Sequence, residues 1–251
     1  MSARRARLNK LDFSTAYPRL IRALKRAHGS ERAVQLAVGG NFNAYGILEL
    51  EVLKFFGLRH DFYVIDVGCG SGRLARPLSG YLSGQYLGTD VVEDLVTHAR
   101  AIVRRADWRF EVVDGLAIPE RDAVADFVCF FSVFTHLLHE QSYVYLREAK
   151  RVLKPGGKIV FSYLDFDVAA HWSVFEANIR DLGVNSHPLN MFIGRDAVKA
   201  WAQRLELKIE AMEPGDKPFL PLSQPVVFDN GSVAEHRASF GQSICVLRKG
   251  A

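Results

Sequence analysis

The sequence predicts an α/β fold, a doubly wound, mostly parallel seven-stranded sheet with an N-terminal helical cap. Three observations predict it. From residue 62 onward, short apolar runs alternate with segments of helical periodicity, which is typical of βαβ units. A glycine-rich turn directly follows the first of these runs. The 251 residues are 49% hydrophobic and 24% charged, which suffices to bury the core of one large domain.

The apolar runs and the amphipathic segments between them define the expected elements. The strand runs are "FYVIDVG", "QYLGTDV", "RFEVVDG", "DFVCFFSV", "KIVFSYL", "ELKIEAM" and "QSICVLRK", and we expect the last two to close one edge of the sheet. Helical spacing is seen in "FSTAYPRLIRALKRAHG", "YGILELEVLKFFGL", "GRLARPLSGYL", "VVEDLVTHARAIVRR", "EQSYVYLREAKRVL" and "GRDAVKAWAQRL". We therefore assign residues 1–60 to a helical cap of the same domain and residues 61–251 to its main part. Segments 165–190 and 214–239 are expected to form lids.

Composition excludes several classes of protein. Cys69, Cys129 and Cys245 are widely spaced, which argues against a disulfide framework and a zinc cluster and fits a reducing cytoplasm. No metal site is predicted. No apolar run reaches the roughly 20 residues that span a bilayer, and the N-terminus lacks the apolar core of a signal peptide, so we expect no membrane partner.

Positive charge is concentrated at the N-terminus. The first 32 residues contain nine Lys or Arg and two acidic residues, whereas the whole chain has a net charge of only +4. Such an arm can attract nucleic acid, but a solvated helical face explains it more simply, and no RNA-binding aromatic signature accompanies it.

The glycine-rich turn "VIDVGCGSGR" predicts a nucleotide-like ligand. Gly68 and Gly70 would let the backbone approach a ligand closely, and Gly72 would allow tight packing at the start of the following helix. Arg73 stands where a dinucleotide fingerprint has its last glycine, and the Asp66 carboxylate would repel a pyrophosphate but suits a ligand with positive charge. No Lys-Ser/Thr pair follows, which excludes a P-loop.

With the next strand ends, the turn resembles the first motif of class I S-adenosylmethionine-dependent methyltransferases, a Rossmann-like family. Asp90 in "YLGTDV" matches the residue that binds the ribose hydroxyls, and Asp114 in "FEVVDGL" matches the one that meets the adenine amino group. "DFVCFFSVFTHLL" and "RVLKPGGKIVFSYL" resemble the fourth strand and the turn into the fifth. The resemblance implies S-adenosylmethionine as cofactor and S-adenosylhomocysteine as product. The residues implied to bind it are Asp66, Gly68, Cys69, Gly70, Gly72, Asp90, Val91, Asp114, Gly115 and Ser132.

The resemblance further implies in-line transfer of the methyl group to a nucleophile, and a hydroxyl nucleophile needs a base. His136, just past the fourth strand, is the candidate, because an imidazole with a pKa near 6.5 can take up a proton at neutral pH. The alternative is a structural histidine at a helix start. Ser132 is expected beside the methionine part of the cofactor or the acceptor.

The acceptor is expected to contact the cap and the lids. Phe42 and Tyr45 from the cap and His171 and Trp172 from the first lid are candidate contacts, although packing of the cap on the sheet would also explain these aromatic residues. An aromatic-rich cap favours an O or N atom of a small organic acceptor. Two alternatives stay open, an RNA or protein methyltransferase that uses the basic arm and a non-catalytic S-adenosylmethionine-binding protein. The oligomeric state is left open.

Overall fold

A computed structural model describes Arg26, Ala27, Gly29 and residues 40–180 and 190–250, and all structural statements concern these residues. The first predicted helix and the basic arm lie almost wholly outside the described residues, as does the end of the first expected lid.

The main sheet contains all seven predicted strands. They are β1 Val64–Val67, β2 Tyr86–Asp90, β3 Arg109–Val112, β4 Ala125–Phe130, β5 Leu153–Asp165, β7 Leu207–Glu213 and β12 Ser243–Lys249, in the order β3-β2-β1-β4-β5-β12-β7. Strands β1 to β5 pair in parallel, and β12 lies antiparallel between β5 and β7. The predicted closure of one edge by the last two strands is therefore confirmed. A short strand β6, Phe192–Ile193, pairs in parallel with the end of β5. It was not predicted, because two residues show no periodicity.

The helices follow the predicted segments with one shortening and one addition. They are α1 Phe42–Phe55, α2 Ala75–Leu78, α3 Glu93–Val103, α4 His139–Val152, α5 Trp172–Arg180 and α6 Arg195–Arg204. α2 is shorter than predicted because the chain tightens into three-residue turns after Pro77, where Gly80 and Tyr81 donate to carbonyls three residues earlier. α5 lies in the first expected lid, 165–190, for which no helix was predicted, although Trp172, Phe175 and Ile179 have helical spacing.

Helices cover both faces of the sheet. One face packs against α1, α2 and α3, and the other packs against α4 and α6. The central strands β1, β2 and β4 are almost fully buried and therefore largely apolar, whereas the edge strands β3 and β7 are partly exposed and contain charged residues. Four short strands, β8 Leu220–Pro221, β9 Val226–Val227, β10 Val233–Ala234 and β11 Arg237–Ala238, form two hairpin pairs within the segment 214–239.

Candidate active site

The glycine loop between β1 and α2 has a backbone that other residues rarely adopt. Gly68, Gly70 and Gly72 have φ of +75°, +54° and +90°. A Cβ on Gly68 would collide with Val133, and one on Gly72 would lie 3.1 Å from the Cα of Ala99 in α3. Gly72 therefore allows tight packing on α3, and Gly68 leaves room for Val133. The close approach of a ligand to Gly68 and Gly70 stays a prediction.

Asp90, at the carboxyl end of β2, faces the glycine loop. Its Oδ2 accepts a hydrogen bond from the Gly70 N–H at 3.0 Å, and its Oδ1 accepts one from the Val92 N–H at 2.9 Å. Burial raises the pKa of the Asp90 carboxyl to about 6, and the backbone N–H groups of Val92, Gly70 and Val91 oppose that rise because they stabilise the carboxylate. A carboxylate has about four acceptor positions, so Asp90 can still accept a hydrogen bond from a ligand. Val91, beside it, is half-buried.

Asp66 is held beneath the loop. Tyr86 Oη donates to its Oδ2 at 2.8 Å, the Cys129 Sγ lies 3.7 Å from its Oδ1, and burial raises the pKa of this carboxyl to about 7. The prediction that Asp66 faces a cationic ligand is not supported by this position, because the side chain turns into the core. Cys69 is likewise buried, so its backbone, not its thiol, is the part within reach of a ligand.

The segment after β3 brings Asp114 and Gly115 to the same edge of the sheet as Asp90. The Val113 N–H donates to the Asp90 carbonyl at 3.0 Å, and Tyr145 Oη donates to the Gly115 carbonyl at 3.1 Å. Both predicted residues are exposed. The loop, Asp90 and Asp114 thus line up along the carboxyl ends of three neighbouring strands, where open α/β sheets bind ligands.

A cavity of about 320 Å³ lies at the carboxyl ends of β4 and β5. Its lining comes from α1, the glycine loop, the ends of β4 and β5, the turn before α5 and the segment before β12. The lining residues are Tyr45, Arg73, Ser132, Leu164, Ala170, His171, Val174, Phe240, Gly241 and Gln242. Three predicted site residues, Tyr45, Ser132 and His171, are therefore brought together, whereas Phe42, Trp172 and His136 are not part of the lining.

Ser132 is fixed in a left-handed conformation at the floor of the cavity. Its φ is +58°, its N–H donates to Ser162 Oγ at 2.7 Å, and Ser162 Oγ donates to Gln242 Oε1 at 2.6 Å. Strained residues of this kind cluster at functional sites. Neither Ser162 nor Gln242 was predicted.

Arg73 and Tyr45 form one wall of the cavity. The guanidinium of Arg73 lies 5.6 Å from the centre of the Tyr45 ring and forms a buried ion pair with Glu49 in α1. α1 approaches the glycine loop closely at Gly46, where a Cβ would collide with the Arg73 carbonyl oxygen. In the sequence Arg73 stands out only as a departure from a dinucleotide fingerprint, so its contacts with Glu49 and Tyr45 were not predicted.

α1 and the segment 214–239 pack together as one cap. Asn41 and Asp229 exchange backbone-to-side-chain hydrogen bonds of 3.0 and 2.7 Å, and Ser223 Oγ donates to Glu51 at 2.7 Å. The Tyr45 ring meets Phe228 edge to face at 6.3 Å. Phe42, a predicted acceptor contact, is buried in the core of the molecule.

His171 lines the cavity, but backbone groups occupy both of its nitrogens. The Asp165 N–H donates to Nδ1 at 2.9 Å, and Nε2 lies 2.9 Å from the Gly241 carbonyl, to which it donates. His171 can therefore offer a ligand chiefly its ring surface. Trp172 is 43% exposed, and its indole N–H donates to the Phe166 carbonyl at 3.1 Å, so it lies in a surface cluster of aromatic residues.

His136 ends a short 3₁₀ turn, Phe134–His136, that directly follows the strained Ser132. Its backbone N–H donates to the Val133 carbonyl at 2.9 Å, and the residue is half-buried. His139 is positioned by the Phe192 carbonyl, 2.9 Å from its Nε2. The role of His136 as a base stays a prediction.

The described residues contain no group of three or more His, Cys, Asp or Glu that could hold a metal ion. They also contain no helix that is long and apolar enough to span a membrane. All three cysteines are buried free thiols.

A model of the methyltransferase domain family matches residues 65–161. Residues 65–161 therefore carry a methyltransferase domain. The predicted family and fold class are thereby confirmed. The match includes the glycine loop, Asp90, Asp114, Ser132 and His136, whereas the cap and the two lids lie outside it.

The chain is also similar in sequence to curated proteins. Ubiquinone biosynthesis O-methyltransferase of Xanthomonas oryzae pv. oryzae is 30% identical over 156 residues, 59% of this chain. The match spans 63% of that relative's length.

Solved structures share the fold at low identity. Magnesium protoporphyrin IX methyltransferase from Synechocystis PCC 6803, with bound S-adenosylhomocysteine, has a TM-score of 0.58 at 14% identity and covers 88% of both chains. The [4+2]-cyclase SpnF has a TM-score of 0.57 at 16% identity, with 82% of this chain and 81% of that chain covered. A fold shared by a methyltransferase and a cyclase does not by itself specify the reaction.

Proposed function

We propose that the domain transfers the methyl group of S-adenosylmethionine to an oxygen atom of a small organic acceptor. The observation that carries this proposal is the position of Asp90, an ionised carboxylate with unused acceptor positions beside a left-handed glycine loop. The cavity next to this site provides room for an acceptor. The naming of the curated relative as an O-methyltransferase favours oxygen over nitrogen.

The residues present fit this cofactor. Asp90 would accept hydrogen bonds from both ribose hydroxyls, Asp114 would meet the adenine amino group, and Gly70 has no side chain that would block the approach of the cofactor to the loop. Ser132 would lie beside the methionine part. When bound, S-adenosylmethionine supplies an electrophilic methyl group on its sulfonium sulfur.

The chain itself contributes orientation and the exclusion of water. The cap closes the cavity on one side with Tyr45 and Phe240, whose rings meet edge to face at 6.0 Å. Holding two reacting groups in a near-attack arrangement can supply roughly 7–11 kcal/mol of the barrier. Removing a proton from a hydroxyl acceptor requires a base, and we assign this role to His136.

Replacing His136 with alanine is expected to lower kcat for a hydroxyl acceptor by at least about tenfold, because general-base catalysis contributes about 10²–10⁴-fold. Binding of S-adenosylhomocysteine, measured by calorimetry, should change little. His60→Ala, at an exposed histidine, is the matched control. Unchanged turnover of the His136 variant would return this residue to a structural role.

Methyl transfer itself is tested with radiolabelled S-adenosylmethionine and a panel of phenols, carboxylic acids and amines. We expect label in the phenols or acids, because oxygen is the proposed acceptor atom. A protein that binds S-adenosylhomocysteine and labels nothing would support the non-catalytic alternative, and label confined to the amines would contradict O-methylation. A role for the basic arm in RNA or protein methylation and a cytoplasmic location stay predictions.

A further inference from the structure

Gln242 has its amide hydrogens directed by the residues around it. Ser162 Oγ accepts the Ser132 N–H at 2.7 Å and donates to Gln242 Oε1 at 2.6 Å. Ser132 Oγ approaches the same oxygen at 3.4 Å. In this arrangement the amide oxygen of Gln242 faces the two serine hydroxyls, and its NH₂ group is on the opposite side of the amide. Gln242 is one of the residues that line the cavity.

The polar groups of the cavity lining are complementary to an anion. The lining residues include Gln242, the always-charged Arg73 and the hydroxyl-bearing Tyr45 and Ser132. No lining residue is acidic, because Glu49, the partner of Arg73, lies behind it and is buried. Both ring nitrogens of His171 are already in contact with backbone groups.

We propose that Gln242, with the positive charge of Arg73, forms a carboxylate-binding site in this cavity. A planar carboxylate would accept hydrogen bonds from the Gln242 amide and gain from the nearby guanidinium. The inference rests on the proposed function, since that function supplies two sources of a carboxylate. One is the methionine part of the cofactor, and the other is an acidic acceptor.

The decisive variant is Gln242→Glu. A glutamate keeps an oxygen that can accept hydrogen bonds from the serine hydroxyls. It replaces the NH₂ donor with a second oxygen and adds a negative charge, which repels a carboxylate. Gln203→Glu makes the same change at an exposed position on α6 and is the matched control. Gln242→Met, which removes the donor without adding charge, is a second variant in case the glutamate disturbs folding.

Calorimetry with two ligand pairs locates the carboxylate. The first pair is S-adenosylhomocysteine and 5′-methylthioadenosine, which lacks the amino acid part. The second pair is 3,4-dihydroxybenzoate and catechol, titrated into protein saturated with S-adenosylhomocysteine. We expect Gln242→Glu to weaken the carboxylate member of one pair by about tenfold or more and its partner by much less, since hydrogen bonds to charged groups are the strong ones.

The affected pair identifies the source of the carboxylate. A selective loss for S-adenosylhomocysteine assigns the site to the cofactor, and a selective loss for dihydroxybenzoate assigns it to an acidic acceptor. Equal effects within both pairs, or none, would overturn the carboxylate site while leaving the proposed function intact. A wild-type protein that binds neither S-adenosylhomocysteine nor methylthioadenosine would instead contradict the proposed function itself.

Discussion

Replacing Asp90 with alanine is expected to weaken the binding of S-adenosylhomocysteine by at least about 100-fold. Two hydrogen bonds from ribose hydroxyls to a carboxylate would be lost, and bonds to charged groups contribute about 1.5–3 kcal/mol each. The substitution also frees the N–H groups of Gly70 and Val92, which loosens the glycine loop. Calorimetry measures the loss, and Asp107→Ala, at an exposed carboxylate in the turn before β3, is the control.

The binding of this ligand should also depend on pH in a predictable direction. The Asp90 carboxyl has a pKa raised to about 6 by burial, so it gains a proton as the pH falls through that value. The protonated group is a poorer acceptor, and the affinity of the wild-type protein should therefore fall below about pH 6. An Asp90→Asn variant should be weak and nearly independent of pH between 5 and 8. Wild-type affinity in the alanine variant would refute the ribose assignment.

Replacing Glu49 with leucine is expected to lower the free energy of unfolding by about 3 kcal/mol. The side chains of Glu49 and Arg73 are 2% and 12% exposed, so the substitution leaves a guanidinium in the interior without its anion. Breaking a buried pair by removing one partner costs about 3–5 kcal/mol, whereas replacing both with apolar residues is often neutral. Urea unfolding of Glu49→Leu and of the double variant Glu49→Leu/Arg73→Met separates these cases.

The double variant should recover much of the lost stability, because it removes the unpaired charge. A Glu49→Leu variant as stable as the wild-type protein would show that the pair does not hold α1 against the glycine loop. The loop would then be anchored mainly by the close approach at Gly46.

The sheet could be predicted from the sequence because its central strands β1, β2 and β4 are enclosed on both faces and are therefore largely apolar. The glycine loop was equally visible, since a left-handed backbone selects glycine. Asp90 and Asp114 were found because the carboxyl ends of successive parallel strands must share one edge of the sheet.

The cavity could not be predicted in the same way. Gln242 and Ser162 are 80 residues apart and meet only because β12 pairs with β5. The prediction for His171 placed the ring correctly in the cavity but could not foresee that the Gly241 carbonyl, 70 residues away, occupies one nitrogen. Asp66 has the residue type expected of its motif, and only the packing of Tyr86 and Cys129 turns its side chain inward.

The cap described above has a consequence for how proteins built on this domain can diversify. The side chains proposed to hold the methyl donor come from consecutive strand ends, whereas much of the cavity wall comes from α1 and the segment around Phe240. These wall elements touch the donor loop at few points, chiefly Gly46 and the Glu49–Arg73 pair. Changes in α1 or the 214–239 segment can therefore alter which acceptor fits while the donor site is inherited unchanged.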